Sequence, residues 1–256
     1  MPESVDLSKN IAVIIPARNE AHLIEHTVRA CRAIPGADLV IVVDDGSTDG
    51  TQHVARQAGA IVVRHATNRG KHAALETGVK VAQMRDPERG RGRMVMFMDA
   101  DVGESALETI LLVEAVRGGV DMAVATSPGE PKSGGRGMLS GLVRRSVQKK
   151  CGWRLTQPLN GQRCFSPEAA QLLQTLFYGW GVEVGITFTI ARAGLTAKEV
   201  PCHIVHENES FPGWKHRFGQ MWDISWAMWR SGFRGGAIVP GSRAAVVNEI
   251  AAGRRG

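Results

Sequence analysis

Two carboxylates flank one small residue in Asp99-Ala100-Asp101, directly after the apolar run Met94 to Met98. At a strand end such a pair can reach a single divalent cation, and hard oxygen ligands suit Mg²⁺ or Mn²⁺ bridging a diphosphate. Helix capping and loop solvation would use the same residues. A second acidic cluster, Asp44-Asp45-Gly46-Ser47-Thr48-Asp49, follows the apolar run Leu39 to Val43. A carboxylate there can accept hydrogen bonds from ribose hydroxyls or a base N–H. Asp45-Gly46 as a turn and Asp49 as a helix N-cap satisfy the same pattern. Asn68-Arg69-Gly70-Lys71 sets a glycine and a cation at a helix start. The N–H groups there favour an anion and Lys71 adds a full charge. A cation at this end opposes the helix dipole, so a bound phosphate would account for it.

These clusters need strands to present them. Short apolar runs at Ile11 to Ile15, Leu39 to Val43, Ile61 to Arg64, Met94 to Met98 and Val120 to Ala125 read as five strands. Helical patterns lie between them: Glu20 to Ala33, Asp49 to Ala58, Gly70 to Met84, and Ser105 to Val116 with Ser105 as its cap. Continuous apolar strands alternating with amphipathic helices predict an α/β fold, with a mostly parallel central sheet covered on both faces. The polar residues then gather at the carboxyl ends of the strands, where open α/β sheets bind ligands. Ser127 to Gly137 reads as a loop rich in Gly, Pro and Ser. Beyond it come a basic helix from Met138 to Lys150, a helix after Pro167, a helix from Glu183 to Ala193 and a strand from Ala197 to Pro201.

Composition narrows the classes. The 256 residues are 43% apolar and 22% charged, which excludes wholesale disorder and collagen-like fibres. No apolar run reaches the ~18 residues of a membrane span. Glu3, Asp6 and Lys9 precede any apolar stretch, so a secretory signal is not expected. The formal charge of +6 is modest for a nucleic-acid binder and fits anionic small molecules or anionic lipid. Cys31, Cys151, Cys164 and Cys202 form no C-x-x-C pair and read as reduced thiols in a cytosol.

Taken together, Val13 to Glu20 (VIIPARNE), Val42 to Thr51 (VVDDGSTDGT), Asn68 to Leu75 (NRGKHAAL) and Phe97 to Gly103 (FMDADVG) resemble the successive signatures of family 2 glycosyltransferases with the GT-A fold. The resemblance is close over the first half and looser to about residue 210. It implies a Rossmann-like nucleotide-sugar fold and a metal-dependent hexosyltransferase using UDP- or GDP-sugar with Mg²⁺ or Mn²⁺. It places Pro16, Ala17 and Glu20 around the nucleoside, with Glu20 on the ribose, and Asp44 on the base or ribose. Lys71 lies beside the diphosphate or sugar. Asp99 and Asp101 form the D-x-D motif, Asp101 being the more direct metal ligand.

The second half resembles two branches, the polyprenyl-phosphate glycosyltransferases and the glucosyl-3-phosphoglycerate synthases. Pro158 to Arg163 (PLNGQR) matches their acceptor loop, so Asn160, Gly161, Gln162 and Arg163 are expected at the acceptor. Gln157 stands where the polyprenyl-phosphate branch usually has Asp. Gly179 to Gly185 (GWGVEVG) is similar to a G-Y-G-V-E segment of the synthases, which places Trp180 and Glu183 at the acceptor too. Glu183 is the leading catalytic candidate, with Lys71 and Asp101 beside it. Its carboxylate could deprotonate an acceptor hydroxyl. If the acceptor is an ionised phosphate it would only position it, and a helix N-terminal carboxylate is the plain alternative. By analogy with the synthases, His206 is preferred over His203 as a further metal ligand.

Residues 1–210 are thus read as a catalytic domain, with a donor half to 126 and an acceptor half from 127. Residues 211–235 are expected to form an amphipathic, Trp-rich helical appendage carrying Phe218, Trp222, Trp226 and Trp229 on one stripe, and 236–256 a flexible tail. The expected partners are a nucleotide-sugar and a phosphate-bearing acceptor, either polyprenyl phosphate or a small molecule such as 3-phosphoglycerate, and not nucleic acid. A cytoplasmic location is expected, with contact at the inner face of the plasma membrane and a homodimer left open. A sugar-1-phosphate nucleotidyltransferase would want a glycine-rich loop where Pro16-Ala17-Arg18-Asn19 stands. A non-catalytic binding module would not need both D-x-D carboxylates and Lys71.

Overall fold

The computed structural model describes residues 10–86, 92–127, 135–174 and 182–206. Seven strands form one sheet: β1 (Ile11–Ala17), β2 (Ala37–Asp44), β3 (Ile61–Arg64), β4 (Met94–Phe97), β5 (Met122–Thr126), β6 (Arg163–Phe165) and β7 (Ala197–Pro201). Their order is β3-β2-β1-β4-β6-β5-β7. All neighbours are parallel except β6, which runs antiparallel between β4 and β5. The helices are α1 (Ile24–Ala33), α2 (Thr51–Gln57), α3 (Lys71–Gln83), α4 (Ile110–Arg117), α5 (Gly135–Cys151), α6 (Pro167–Ala170) and α7 (Val182–Arg192). The α/β expectation and its parallel first half therefore hold. The expected Trp-rich appendage, the tail and Trp180 lie outside the described residues.

Alternation along β1 shows why both faces are covered. Val13 and Ile15 point into a core with Ile24, Val28 and Leu112. Ile14 points into a second core with Leu75, Val79, Phe165 and Ile190. A strand buried on both faces must be apolar at every position, which is the run the sequence displays. All four cysteines are free and buried in these cores. Burial pushes the Cys31 and Cys164 thiols up to about 12, so they pack as small hydrophobes.

β1 runs through Pro16 instead of stopping at Ile15. Ile14 C=O accepts from Met98 N–H on the β4 side, and Ala17 C=O accepts from Asp45 N–H on the β2 side. Residue 16 therefore faces β4, beyond the last β1–β4 pair at Ile14 and Phe97. The missing proline N–H costs no ladder bond there. The sheet splits at this point, since β2 and β3 lie to one side of β1 and β4 to the other, so a crevice opens at the carboxyl ends.

Three sequence expectations are corrected. The helix expected from Glu20 begins only at Ile24. The helix expected over 105–116 is a 3₁₀ segment, Gly103–Thr109, followed by α4. Ser105 does not cap it, because its hydroxyl donates back to Val102 C=O at 2.6 Å. Arg163, expected in the acceptor loop, opens β6, which runs to Phe165. Three residues opening on arginine carry too little alternation to read as a strand. Among the described residues no helix is long and apolar enough to cross a membrane.

Helix α3 lies unusually close to β1. A Cβ built on Gly78 would sit 2.2 Å from Ile14 Cγ2. In an exposed helix Gly→Ala stabilises by up to ~1 kcal/mol. Here Gly78→Ala overpacks a rigid contact and is expected to lower stability by about 1–3 kcal/mol, read from denaturant midpoints.

Candidate active site

Four loops meet at the crevice, and polar side chains fix each one. Asn19 N–H donates to Ser47 Oγ, Thr48 N–H to Asn19 Oδ1, and Glu20 N–H to Thr51 Oγ1. Asp49 accepts from both Thr51 N–H and Ala21 N–H. Asp49, expected as the N-cap of this helix, instead ties the loop after β1 to the loop after β2, and Gly50 holds the N-cap of α2 without a side-chain cap bond. Pro16, Ala17 and Glu20 come to the crevice on this zipped pair. Asp44, expected on the base or ribose, is fully buried. Its Oδ1 accepts from Ser47 N–H at 2.8 Å, and Arg64 Nε is 3.6 Å from Oδ2. Oδ2 has no hydrogen-bond partner in the structure.

Asp45 holds the third loop. Its Oδ1 accepts from Arg69 N–H at 2.8 Å and lies 2.7 Å from His65 Nδ1, while Oδ2 accepts from Gly70 N–H at 2.7 Å. Burial works to raise its carboxyl, but the Arg69 N–H, the His65 ring and the Gly70 N–H outweigh it and hold it below its ordinary value. The D-x-D turn is fixed from α1: Thr27 Oγ1 donates to Ala100 C=O at 2.8 Å and accepts from Gly103 N–H at 2.9 Å. Ser105 Oγ accepts from Val205 N–H and so draws the 204–206 segment against that turn. His206 Nδ1 then lies 3.1 Å from Asp101 Oδ1. The Asp101 carboxylate beside it raises the imidazole above its ordinary value, against partial burial.

At the centre is Lys71, in the first turn of α3. Its Nζ donates to Asp99 Oδ1 at 2.8 Å and sits 3.3 Å from Glu183 Oε1. Burial alone would depress this ammonium, but the Asp99 and Glu183 carboxylates hold it above the usual lysine value. Two carboxylates therefore offset the unfavourable dipole. Burial likewise pushes Asp99 up, and Lys71 overrides it.

The acceptor loop divides. Asn160 and Gly161 stay at the crevice. Asn160 Oδ1 accepts from Gln162 N–H. A Cβ on Gly161 would meet Lys71 Nζ at 2.8 Å and Asp99 Oδ2 at 3.0 Å, so a side chain there would have to displace the Lys71–Asp99 pair. Gln162 is 1% exposed and Arg163 is fully buried, so neither side chain faces an acceptor as expected. Gln162 Nε2 donates to Asp99 Oδ2 at 2.7 Å. The Arg163 guanidinium donates to the carbonyls of Pro158, Asn160 and Glu183 and to Thr187 Oγ1. Burial pulls Arg163 down to about 10, which leaves it charged at neutral pH. It fastens the loop to α7 from beneath.

Sequence reading brought Lys71, Asp99, Asp101, Glu183 and His206 forward as separate candidates, and the fold unites them. It missed Thr27, along with the loop-fixing parts of Asp45 and Ser105. Their signal is a short polar side chain beside a motif, common to every turn.

Residues 12–164 match the profile of glycosyl transferase family 2. The chain belongs to that family. It is a glycosyltransferase. An uncharacterised protein of Methanocaldococcus jannaschii is 32% identical over 211 residues, 78% of this chain and 83% of that protein. The undecaprenyl-phosphate 4-deoxy-4-formamido-L-arabinose transferase of Pseudomonas paraeruginosa is 33% identical over 161 residues, 59% of this chain. The match spans 44% of that transferase's length. Among solved structures, glucosyl-3-phosphoglycerate synthase of Mycobacterium tuberculosis with Mn²⁺, UDP-glucose and phosphoglyceric acid superposes with a TM-score of 0.69 at 26% identity, covering 89% of this chain and 81% of that one. The same enzyme with Mg²⁺ and UDP gives 0.69 at 25% identity, covering 87% and 79%. The GT-A fold of this family 2 glycosyltransferase is thereby shown.

The Asp45 carboxyl binds fewer protons folded than unfolded, so stability rises with pH across its range. Asp45→Asn keeps one acceptor oxygen but sets an NH2 against the other N–H of the Arg69–Gly70 pair, and is expected to cost about 1–3 kcal/mol at neutral pH. The wild-type advantage is complete above the unfolded carboxyl value of about 3.9 and is lost as pH falls through the lower folded value. Denaturant titrations of both proteins from pH 7 to pH 3 check it.

Proposed function

We propose that this chain transfers a hexose from a UDP- or GDP-sugar to a phosphate-bearing acceptor, with Mg²⁺ or Mn²⁺. The observation that carries this is the Lys71 ammonium held between Asp99 and Glu183 at the mouth of the crevice, with Asp101 and His206 alongside. The donor's nucleoside lies on Pro16, Ala17 and Glu20. Asp44 Oδ2, unpartnered in the structure, suits a nucleoside N–H or O–H once Arg64 turns aside.

The donor set fits a metal of this class. Asp101 and His206 offer one carboxylate and one imidazole side by side, and no group of three such ligands occurs among the described residues. Mg²⁺ and Mn²⁺ sites are often completed by waters and substrate phosphates, so two protein ligands suffice. Both oxygens of Asp99 are engaged by Lys71 and Gln162, so we read Asp99 as the lysine's anchor and not as a metal ligand. When bound, the metal offsets the charge that builds on the departing nucleoside diphosphate.

Lys71 orients the donor by charge, its exposed face turned to the crevice. Glu183 stands next to it where the acceptor enters. For an acceptor hydroxyl, as in 3-phosphoglycerate, the Glu183 carboxylate takes the proton as the oxygen attacks the anomeric carbon. Superposition on the synthase over 89% of this chain favours such a small phosphorylated acceptor. Polyprenyl phosphate is the second reading, favoured by the undecaprenyl-phosphate relatives. For it Glu183 positions an oxygen already ionised, and contact with an anionic membrane would follow. We assign donor binding to residues up to 126 and acceptor binding to those from 127.

A screen of UDP- and GDP-sugars for metal-dependent nucleoside diphosphate release, with 3-phosphoglycerate or with undecaprenyl phosphate in vesicles, tests the reading. Asp101→Ala is expected to abolish turnover and weaken donor binding, and full activity in that variant removes the metal from the scheme. Glu183→Gln is expected to keep donor binding and to lose about a hundredfold or more in turnover with a hydroxyl acceptor. A variant unable to bind donor would reassign Glu183.

A further inference from the structure

Gln162 is the buried polar side chain at the centre for which the transfer scheme has no use. It is 1% exposed and cannot meet an acceptor. Its backbone leaves it little freedom. Its N–H donates to Asn160 Oδ1, and its C=O accepts from Ala125 N–H at the edge of β5. From this fixed point Nε2 reaches Asp99 Oδ2 at 2.7 Å, while Lys71 Nζ occupies Oδ1 at 2.8 Å. Gly161, the residue before it, supplies the close backbone approach that this geometry requires.

We propose that Gln162 is a positioning residue for sugar transfer: its amide fixes the Asp99 carboxylate so that Lys71 is shared between Asp99 and Glu183 instead of swinging to either. The inference rests on the transfer reading above. Its basis is charge. Asp99 and Glu183 bring two negative charges to one ammonium. A neutral amide donor is the group that can hold the second Asp99 oxygen without adding a third charge. A methionine at 162 would fill the space but free Asp99 to turn. A glutamate would nearly match the shape but set carboxylate against carboxylate, and like charges at this range repel strongly in a partly buried site.

Charge and shape therefore order the variants differently. Steady-state kinetics on the full chain, with Mn²⁺, the donor sugar found active and its acceptor, would compare wild type, Gln162→Met and Gln162→Glu, beside direct titration of UDP with Mn²⁺. The expected result is a fall in kcat of about tenfold or more for Gln162→Met and a larger fall for Gln162→Glu. UDP affinity should stay within about threefold of wild type in the methionine variant, because Asp101, His206 and the nucleoside loops are untouched. Glutamate equal to or better than methionine overturns the inference while the function reading stands. So does a fall in UDP affinity as large as the fall in kcat, because that marks general loosening. A wild-type chain that turns over no sugar donor overturns the function reading, and this inference with it.

Discussion

The site turns on one ammonium shared by two carboxylates. Lys71 belongs to the amino end of α3, where the helix dipole disfavours it, and it enters a crevice where burial disfavours it again. Asp99 from the end of β4 and Glu183 from the start of α7 offset both effects. The three groups come from widely separated positions, and each alone would be poorly placed: two partly buried carboxylates without a cation, or a cation without a carboxylate. Charge-assisted contacts of this kind are strong because the surroundings exclude much of the water. The arrangement ties the turn after β4 to the start of α7 through a single side chain.

That sharing requires loops that do not drift, and the chain achieves it by satisfying backbone groups with short polar side chains. Asp45 takes two N–H groups of the loop before α3. Thr27 both donates to and accepts from the D-x-D turn. Ser105 draws in the segment that carries His206. Each one removes an orphaned backbone group that would otherwise cost stability in a buried turn. Rigid support for the charged side chains is also what a catalytic site needs if charge is to be stabilised without rearrangement.

The second half of the chain is braced by the same means. Gln157 and Ser127 exchange two hydrogen bonds of 2.8 Å, amide to backbone, like a short piece of ladder. Glu199 on β7 accepts from the N–H groups of Thr156 and Gln157. Arg163 gathers carbonyls from the loop and from α7 beneath it. A glutamine at 157 can donate and accept at once, which a carboxylate cannot, so the departure from the aspartate of the polyprenyl-phosphate branch has a structural consequence in the loop itself.

Much of this was legible in the residue order. Apolar runs at Ile11, Leu39 and Met94, each closed by polar residues, determined a parallel sheet with its chemistry at the carboxyl ends, because a strand buried on both faces must be apolar throughout. The motifs brought Lys71, Asp99 and Asp101 forward, because charged groups beside strand ends are few, and the family resemblance added Glu183 and His206. The tertiary structure alone decided which of them touch. Asp99 and Glu183 stand 84 positions apart in the sequence, and no local pattern encodes a contact of that separation. It also decided that Arg163 and Gln162 turn inward, because β6 is too short to show its alternation and burial of a guanidinium depends on carbonyls brought from elsewhere in the fold.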